Sequence, residues 1–255
     1  MVKGYGRFSS SPRCAVKIDL RKAFNSLNWR FVMDILAALN FSPIFINWIR
    51  SCITSPKFSI SFNGVLVGYF KGAKGVRQRD PLSPYIFVIA MDVLSKLLDA
   101  AAAYGVFNYH PNCKRIKLIH LSFADDLLIF MKGNKDSIEG VQKILNVFYT
   151  YSGLQLNCDK SEFYCSGVSR DTMNEMQLST GFKCGSLPVR YLGVPLVTRR
   201  LSFKDCYPLF DKMKVRINCW SARLISYARR LQLIKTVLYS IQNFWCHHFF
   251  CLKEC

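Results

Sequence analysis

The chain has 255 residues, of which 51% are hydrophobic and 14% aromatic, and it carries 35 Lys and Arg against 16 Asp and Glu. This apolar content can fill a sizeable core, which excludes disorder over most of the length. The formal net charge of +19 exceeds what solubility requires and favours a phosphate-rich partner such as nucleic acid; a basic protein without such a partner is the simpler alternative.

The cysteines and the chain start bear on the cellular compartment. Eleven cysteines are spread singly, without a CxxC pair, which favours reduced thiols over a disulfide framework. The polar first 12 residues do not fit a signal peptide, and no run of 18 uncharged apolar residues occurs. We therefore expect an intracellular protein, nuclear or cytoplasmic, with no membrane partner.

The first third of the chain predicts a strand, two helices and a hairpin. Residues 14–20 read as a buried strand, and apolar residues at helical spacing predict a helix over residues 28–40. Ser42 and Pro43 predict the N-cap and first position of a second helix that reaches about residue 54. Alternation around Asn63-Gly64 predicts a β-hairpin.

The middle third begins with a loop rich in glycine and arginine, residues 71–84. A long helix is predicted for residues 83–104, ended by Gly105. Two apolar runs, residues 116–123 and 127–131, flank an adjacent pair of aspartates and predict a second hairpin. A helix over residues 136–152 and short strands within residues 160–166 and 190–197 complete this part.

Beyond residue 200 the pattern is helical and strongly basic. Residues 183–235 contain 12 Lys and Arg against two Asp, so more than half of the net charge lies there. We place a domain boundary near residue 200, and we expect the aromatic rings of Tyr227, Tyr239 and Trp245 to pack inside the helical part.

Three aspartates form the strongest candidate site. Asp19 ends the first predicted strand, and Asp125 and Asp126 form the turn of the second hairpin. If the two strands are neighbours, the carboxylates meet at one edge of the sheet, where like charges raise each other's pKa unless a cation is present. Hard oxygen ligands suit Mg²⁺, and two such ions about 4 Å apart are a recurring device for phosphoryl transfer.

These residues also carry a family resemblance. The segments KIDLRKAFNSLNW, GVRQRDPLSPYIF, FADDLLIF, GLQLNCDKSEF and RYLGVPL resemble, in order, the motifs of reverse transcriptases, and most closely those of plant non-LTR (LINE-type) retrotransposons. The later ISYARRLQLIKTVLYSIQNFW resembles the thumb of the same group. Five ordered motifs are far more specific than a lone pair of aspartates.

The resemblance implies an α+β fold: a right-hand polymerase palm, with an antiparallel sheet, packed helices and a ferredoxin-like core, followed by a helical thumb. Residues 1–12 would be a loop or a remnant of the fingers, residues 13–200 the palm and residues 201–255 a basic, truncated thumb. Most of the fingers would be missing, so we expect truncation at both ends to impair polymerisation.

The resemblance also assigns roles to individual residues. Asp19 and Asp125 would be the main metal ligands, with Asp126 supporting them. Phe24 would be the gate against a ribose 2′-hydroxyl, although an ordinary core phenylalanine is a serious alternative. The implied nucleotide-binding residues are Phe24, Arg77, Gln78 and Lys160, and those implied for the template–primer are Arg223, Arg229, Arg230 and Lys235. A merely solvated lysine is the alternative for Lys160.

The implied activity is RNA-directed DNA polymerisation. A primer 3′-hydroxyl would attack a dNTP on an RNA template with two Mg²⁺ ions, for which Mn²⁺ could substitute, and the rest of a retroelement polyprotein would be a further partner. The first alternative is a non-catalytic nucleic-acid-binding remnant of a decayed element; a host polymerase of the telomerase or intron-maturase kind and a translated pseudogene are others.

Three positions depart from the family pattern, which has Asp in place of Asn25 and Gly in place of Arg79 and Arg229. Arg79 puts a long cation where template and nucleotide must approach closely. We expect it to lower activity.

Overall fold

The computed structural model describes residues 11–198, 202–221 and 225–248. The chain divides after Gly185 into two compact units. The assignment of residues 13–200 to a palm and 201–255 to a thumb stays a prediction, and Arg223 and residues 1–10 lie outside the described residues.

The first unit contains seven strands and six helices within its described residues. The strands are β1 (Arg13–Ile18), β2 (Lys57–Phe62), β3 (Val65–Lys71), β4 (His120–Phe123), β5 (Asp126–Lys132), β6 (Glu162–Ser166) and β7 (Lys183–Cys184). The helices are α1 (Ala23–Ser26), α2 (Trp29–Ala38), α3 (Pro43–Thr54), α4 (Ser83–Ala103), α5 (Lys135–Ser152) and α6 (Arg170–Thr180).

A five-stranded sheet in the order β4-β5-β1-β6-β7 organises this unit. β1 pairs antiparallel with both β5 and β6, and β5 pairs antiparallel with β4. β7 pairs parallel with β6, which makes the sheet mixed at that edge. The predicted α+β fold, a mainly antiparallel sheet covered by helices, is confirmed.

One apolar core joins the sheet to the helices. Ala15 of β1 is buried on one face of the sheet, and Cys14, Val16 and Ile18 are fully buried on the other face, which meets the main core. α2, α4 and α5 cover that face with side chains at helical spacing: Val32, Leu36, Phe87, Leu94, Leu98, Ile138, Val141, Leu145 and Phe148. Burying each large apolar side chain contributes about 1.5–3 kcal/mol to folding, so this core stabilises the packing of the helices on β1 and β5.

Local sequence signals placed several element ends correctly. Ser42 caps α3 by accepting a hydrogen bond from the Phe45 N–H at 3.3 Å, with Pro43 in the first turn. Asn63 and Gly64 have φ values of 48° and 80° and join β2 to β3. Gly105, at φ 76°, follows α4. Each signal acts within four residues and needs no tertiary contact.

Two parts of the first unit differ from the sequence prediction. The strand expected from residue 116 begins only at His120, because Lys114–Ile116 form a 3₁₀ turn and Lys117 is left-handed at φ 50°. α6 and β7 were not predicted. Only Met176 and Thr180 of α6 are buried, so the helix has no apolar stripe for a periodicity search to find.

The second unit begins with a small hairpin and continues with helices. Its elements are β8 (Val189–Tyr191), β9 (Val194–Leu196), α7 (Phe203–Ser221), α8 (Tyr227–Leu233), a π-helical turn (Ile234–Leu238) and α9 (Tyr239–His248). Trp245 is buried as expected, but Tyr227 and Tyr239 are 83% and 64% exposed, so their predicted packing is wrong. They lie on helix faces that no other described element covers. None of the described helices is both long and apolar enough to cross a membrane.

Candidate active site

The register of β1 against β5 brings the predicted acidic residues to one end of the sheet. Ile18, the last residue of β1, pairs with Leu127 of β5, so continuing the register sets Asp19, the residue after β1, level with Asp126 at the start of β5. Phe123 pairs with Asp126 across a two-residue turn formed by Ala124 and Asp125. The strands are separated by about 100 residues of chain, and only their pairing places the three carboxylates together.

The charges of the neighbouring carboxylates act on Asp126. The pKa of Asp126 is raised, first because the group is partly buried, and further because the charges of Asp125 and Asp19 disfavour its ionised form. The Lys17 ammonium acts in the opposite direction and lowers this pKa. Lys17 lies two residues before Asp19 and therefore on the same face of β1. An added cation would relieve the same repulsion.

The donor set fits a hard divalent cation. Asp125 is exposed and Asp19 half-buried, so carboxylate oxygens can face solvent and substrate. Within the described ranges, no three His, Cys, Asp or Glu side chains converge into a ready-made metal cage. Mg²⁺ does not require one, since it usually takes one or two carboxylates, several waters and the phosphates of its substrate.

Asp19 is held from the turn that precedes β6. The Asn157 side-chain amide donates from Nδ2 to Asp19 Oδ2 at 2.9 Å, and the Asn157 N–H donates to the Asp19 carbonyl at 2.9 Å. Ser161 Oγ accepts from the Asp19 N–H at 3.2 Å. Sequence reasoning missed Lys17, Asn157 and Ser161. For Lys17 the two-residue spacing from Asp19 was an available signal. Asn157 and Ser161 lie in the motif GLQLNCDKSEF, but the motif does not show that they contact Asp19.

Phe24, the predicted gate residue, packs against the main core. Its ring stacks on Phe87 of α4, with centroids 4.8 Å apart, and it is half-buried against the main core. The gate and the core readings are compatible, because Phe24 packs on Phe87 and its side chain is still only half-buried. The gate role stays a prediction.

Arg77 and Gln78 lie in a loop that is tied to the chain segment after Asp19. The Gly75 N–H donates to the Leu27 carbonyl and the Val76 N–H to the Phe24 carbonyl, both at 2.7 Å. The loop borders a cavity of about 510 Å³, lined by Trp29, Phe58, Phe70, Lys74, Arg77 and Gln78 among others. Both predicted residues are exposed. The loop thus adjoins Phe24, and the nucleotide-binding role of Arg77 and Gln78 stays a prediction.

The remaining predicted residues divide between two places. Lys160 is exposed in the turn between Asn157 and Ser161, the turn that holds Asp19. Arg229, Arg230 and Lys235 are exposed on α8 and the π-helical turn of the second unit. Arg230 Nε donates to the Ile225 carbonyl at 3.0 Å, which directs part of its guanidinium to its own helix start.

The comparison with protein families identifies the chain. Residues 7–196 match the family described as "Reverse transcriptase (RNA-dependent DNA polymerase)". The chain belongs to the reverse transcriptase family. The matched range includes Asp19, Asp125, Asp126 and Asn157, and so contains the whole carboxylate cluster at the end of β1.

The proteins that this reverse transcriptase sequence resembles include polyproteins of retrotransposable elements. It is 32% identical over 143 residues to the Pol polyprotein of the type-2 retrotransposable element R2DM of Drosophila melanogaster, covering 56% of this chain and 13% of that protein. It is 40% identical over 70 residues to an uncharacterised mitochondrial protein of Arabidopsis thaliana, covering 25% of this chain and 53% of that one. The chain spans only a small part of the retrotransposon proteins that it matches.

The fold has a solved counterpart in telomerase. The Candida tropicalis telomerase, determined with a fragment of telomeric RNA, superposes with a TM-score of 0.55 at 14% identity, covering 77% of this chain and 30% of that one. At this identity the likeness concerns the fold. It supports the palm architecture reached from the sheet order.

Proposed function

We propose that this chain contains the palm and thumb segments of a non-LTR retrotransposon reverse transcriptase, and that Asp19, Asp125 and Asp126 form its catalytic centre. The observation that carries the proposal is the β1–β5 register, which sets Asp19 level with Asp126 beside Asp125. The substrates would be an RNA template, a DNA primer and dNTPs. The short match to an Arabidopsis protein supports a plant element.

The aspartates and Lys17 would have different roles in nucleotidyl transfer. Asp19 and Asp125 would be the main protein ligands for two Mg²⁺ ions, with Asp126 supporting them, waters and substrate phosphates completing the coordination, and Mn²⁺ as a substitute. When bound, such ions lower the pKa of the attacking hydroxyl and stabilise the leaving pyrophosphate. Lys17 keeps positive charge next to Asp126 and so favours its ionised form. Catalysis by positioning and charge neutralisation is typical of phosphoryl transfer.

The surrounding residues would position the substrates. Phe24 would contact the sugar of the nucleotide, and Arg77 and Gln78 its phosphates or the template base from their exposed loop. Lys160 would lie near the triphosphate. Arg229, Arg230 and Lys235, together with Arg223, would contact the phosphate backbone of the template–primer duplex through charge rather than sequence. An intracellular location stays a prediction from the cysteine pattern.

A primer-extension assay with an RNA template, dNTPs and Mg²⁺ tests the proposal. Asp125→Asn keeps the shape of the side chain and removes its charge. We expect extension to fall by at least about 100-fold, because loss of a metal ligand should exceed the 10- to 100-fold typical of outer partners. Asp34→Asn is the control, since Asp34 is exposed in an ion pair with Arg30 on α2.

Arg79 favours the non-catalytic remnant as a second candidate. It is an exposed, left-handed residue at φ 67° in the loop that should admit the nucleotide. If the chain binds template–primer in a salt-sensitive way, extends no primer, and binds equally well as Asp125→Asn, the remnant is supported and the polymerase assignment fails for this chain.

A further inference from the structure

The turn from Asn157 to Ser161 encloses the end of β1 with a set of hydrogen bonds. Asn157 contacts Asp19 twice, through its side-chain amide to Oδ2 and through its N–H to the carbonyl, each at 2.9 Å. Ser161 Oγ accepts from the Asp19 N–H at 3.2 Å and donates to the Asn157 carbonyl at 2.8 Å. Backbone and side chain of Asp19 are thus both held by a segment 138 residues further along the chain.

We propose that Asn157 is a positioning residue for the catalytic carboxylate of Asp19. This inference rests on the proposed function, in which Asp19 is a metal ligand. By donating to Oδ2, the amide fixes the rotation of the carboxylate. Oδ1 receives no hydrogen bond from any described residue, so it is the oxygen left for a cation.

The chemistry of asparagine suits this position. A lysine or arginine there would neutralise the carboxylate and compete with the cation, whereas another carboxylate would add a fourth negative charge beside Asp19, Asp125 and Asp126. A neutral amide donates a hydrogen bond and leaves the net charge of the site unchanged. Partners of this kind orient the ligands of metal sites and are worth roughly 10- to 100-fold in metal affinity.

The turn that carries Asn157 is joined directly to the central sheet. Ser161 is fully buried, and the next residue, Glu162, begins β6, which pairs with β1 from Glu162 opposite Lys17 onwards. The Ser161 N–H also donates to the Asn157 carbonyl at 2.9 Å, which closes the turn. The amide is therefore anchored to the same sheet that carries Asp19, so its position relative to that carboxylate does not depend on a mobile loop.

Mn²⁺ binding to the purified chain tests the proposal without relying on activity. Free Mn²⁺ is followed by its electron paramagnetic resonance signal during titration of wild type, Asn157→Ala, Asp19→Asn and Gln142→Ala. We expect Asn157→Ala to weaken Mn²⁺ binding by about 10- to 100-fold. Gln142→Ala is the matched control, because it also removes one amide hydrogen bond, to the Thr180 carbonyl at 3.0 Å, away from Asp19.

A second readout separates positioning from folding. In primer extension, raising the Mg²⁺ concentration should restore most of the rate of Asn157→Ala but not that of Asp19→Asn. If Asn157→Ala does not fold, Asn157→Ser replaces it, with the same expected weakening.

The outcomes are distinguishable. Equal Mn²⁺ affinity for Asn157→Ala and Gln142→Ala would overturn the positioning role and leave the proposed function intact, provided that Asp19→Asn loses the ion. Unchanged Mn²⁺ binding by Asp19→Asn would instead overturn the proposed function.

Discussion

At the scale of single residues, the backbone conformation of Arg79 and the burial of His110 each have a measurable consequence. Arg79 occupies a left-handed conformation in the loop after β3, at a position where the sequence resemblance predicts glycine. His110 is fully buried, and its Nδ1 accepts a hydrogen bond from the Asn112 N–H at 3.2 Å. Arg79 affects the candidate site, and His110 affects the pH range in which the first unit stays folded.

Arg79→Gly should stabilise the chain and assist the site. A left-handed conformation costs an L-residue about 1–2 kcal/mol, and glycine removes this cost. Part of the gain is offset, because glycine loses more conformational entropy on folding than arginine does. We expect the free energy of unfolding in urea to rise by up to about 1 kcal/mol. Arg77→Gly is the control, since Arg77 is not left-handed, and it should lower that free energy. A decrease for both variants would refute the strain argument.

His110 should make the folded state sensitive to acid. Its burial, and then the nearby charge of Arg13, lower its pKa from 6.5 to about 4. As the pH falls from about 6.5 to about 4, the unfolded chain binds a proton that the folded chain does not, so stability present above pH 6.5 is lost. The loss approaches about 3 kcal/mol.

The variant His110→Phe isolates this effect when unfolding is measured in urea between pH 4 and pH 7. Phenylalanine fills a volume similar to that of histidine beside Phe130. The rings of His110 and Phe130 are packed edge to face, with their centroids 6.1 Å apart. The wild type should lose more stability than the variant on acidification. Parallel profiles for the two proteins would contradict the assignment.

At the scale of elements, the site depends on loops held by a few backbone contacts. The loop that carries Arg77 and Gln78 is anchored at Gly75, whose carbonyl accepts a hydrogen bond from Trp29 Nε1 at 2.6 Å.

The β2–β3 hairpin packs little against the rest of the first unit. Nearly all its described side chains are exposed, Phe62 and Tyr69 among them. Exposed apolar side chains cluster on this hairpin, and such surfaces promote association.

Gly75→Ala should displace the predicted nucleotide loop. Gly75 has φ +85°, and a Cβ there would lie 2.6 Å from the Asn25 carbonyl oxygen, so the variant adds a backbone clash to left-handed strain. Gly105→Ala is the matched control, with φ +76° but nothing within 4 Å of a Cβ. We expect Gly75→Ala to lose about 1–3 kcal/mol more than the control in thermal or urea unfolding. Equal losses would show that the loop relaxes freely.

For the whole molecule, charge is the dominant property. The net charge of +19 predicts binding to nucleic acid that weakens steeply with salt. Arg229, Arg230 and Lys235 are exposed and belong to the basic second unit, so they should contribute to the number of phosphates neutralised. Lys and Arg elsewhere are partly engaged in ion pairs, such as Lys96 with Asp92.

Replacing Arg229, Arg230 and Lys235 together by alanine should reduce the salt dependence of template–primer binding. Each lost phosphate contact lowers the slope of log affinity against log salt by about 0.9 for a duplex. The control changes the same charge at Arg30, Lys96 and Lys135, which are each paired with a carboxylate. Fluorescence anisotropy over a range of KCl concentrations measures both slopes. Equal slopes would remove the second unit from the binding surface.

The sequence by itself determined the features that depend on short stretches of chain. The Ser42 cap, the Asn63-Gly64 turn and the end of α4 near Gly105 each follow from the dihedral or hydrogen-bonding preferences of neighbouring residues. The ordered motifs also determined the family. These inferences succeed because their causes act over a few residues.

Only the tertiary structure decided how distant residues meet. The β1–β5 register made Asp19 the neighbour of Asp126, and the β1–β6 pairing brought the Asn157 amide to the Asp19 carboxylate. α6, which has little apolar periodicity, also formed without a clear local signal. The physical reason is that strand register is selected by burial of a shared core from segments far apart in the chain, and no local window of sequence contains that information.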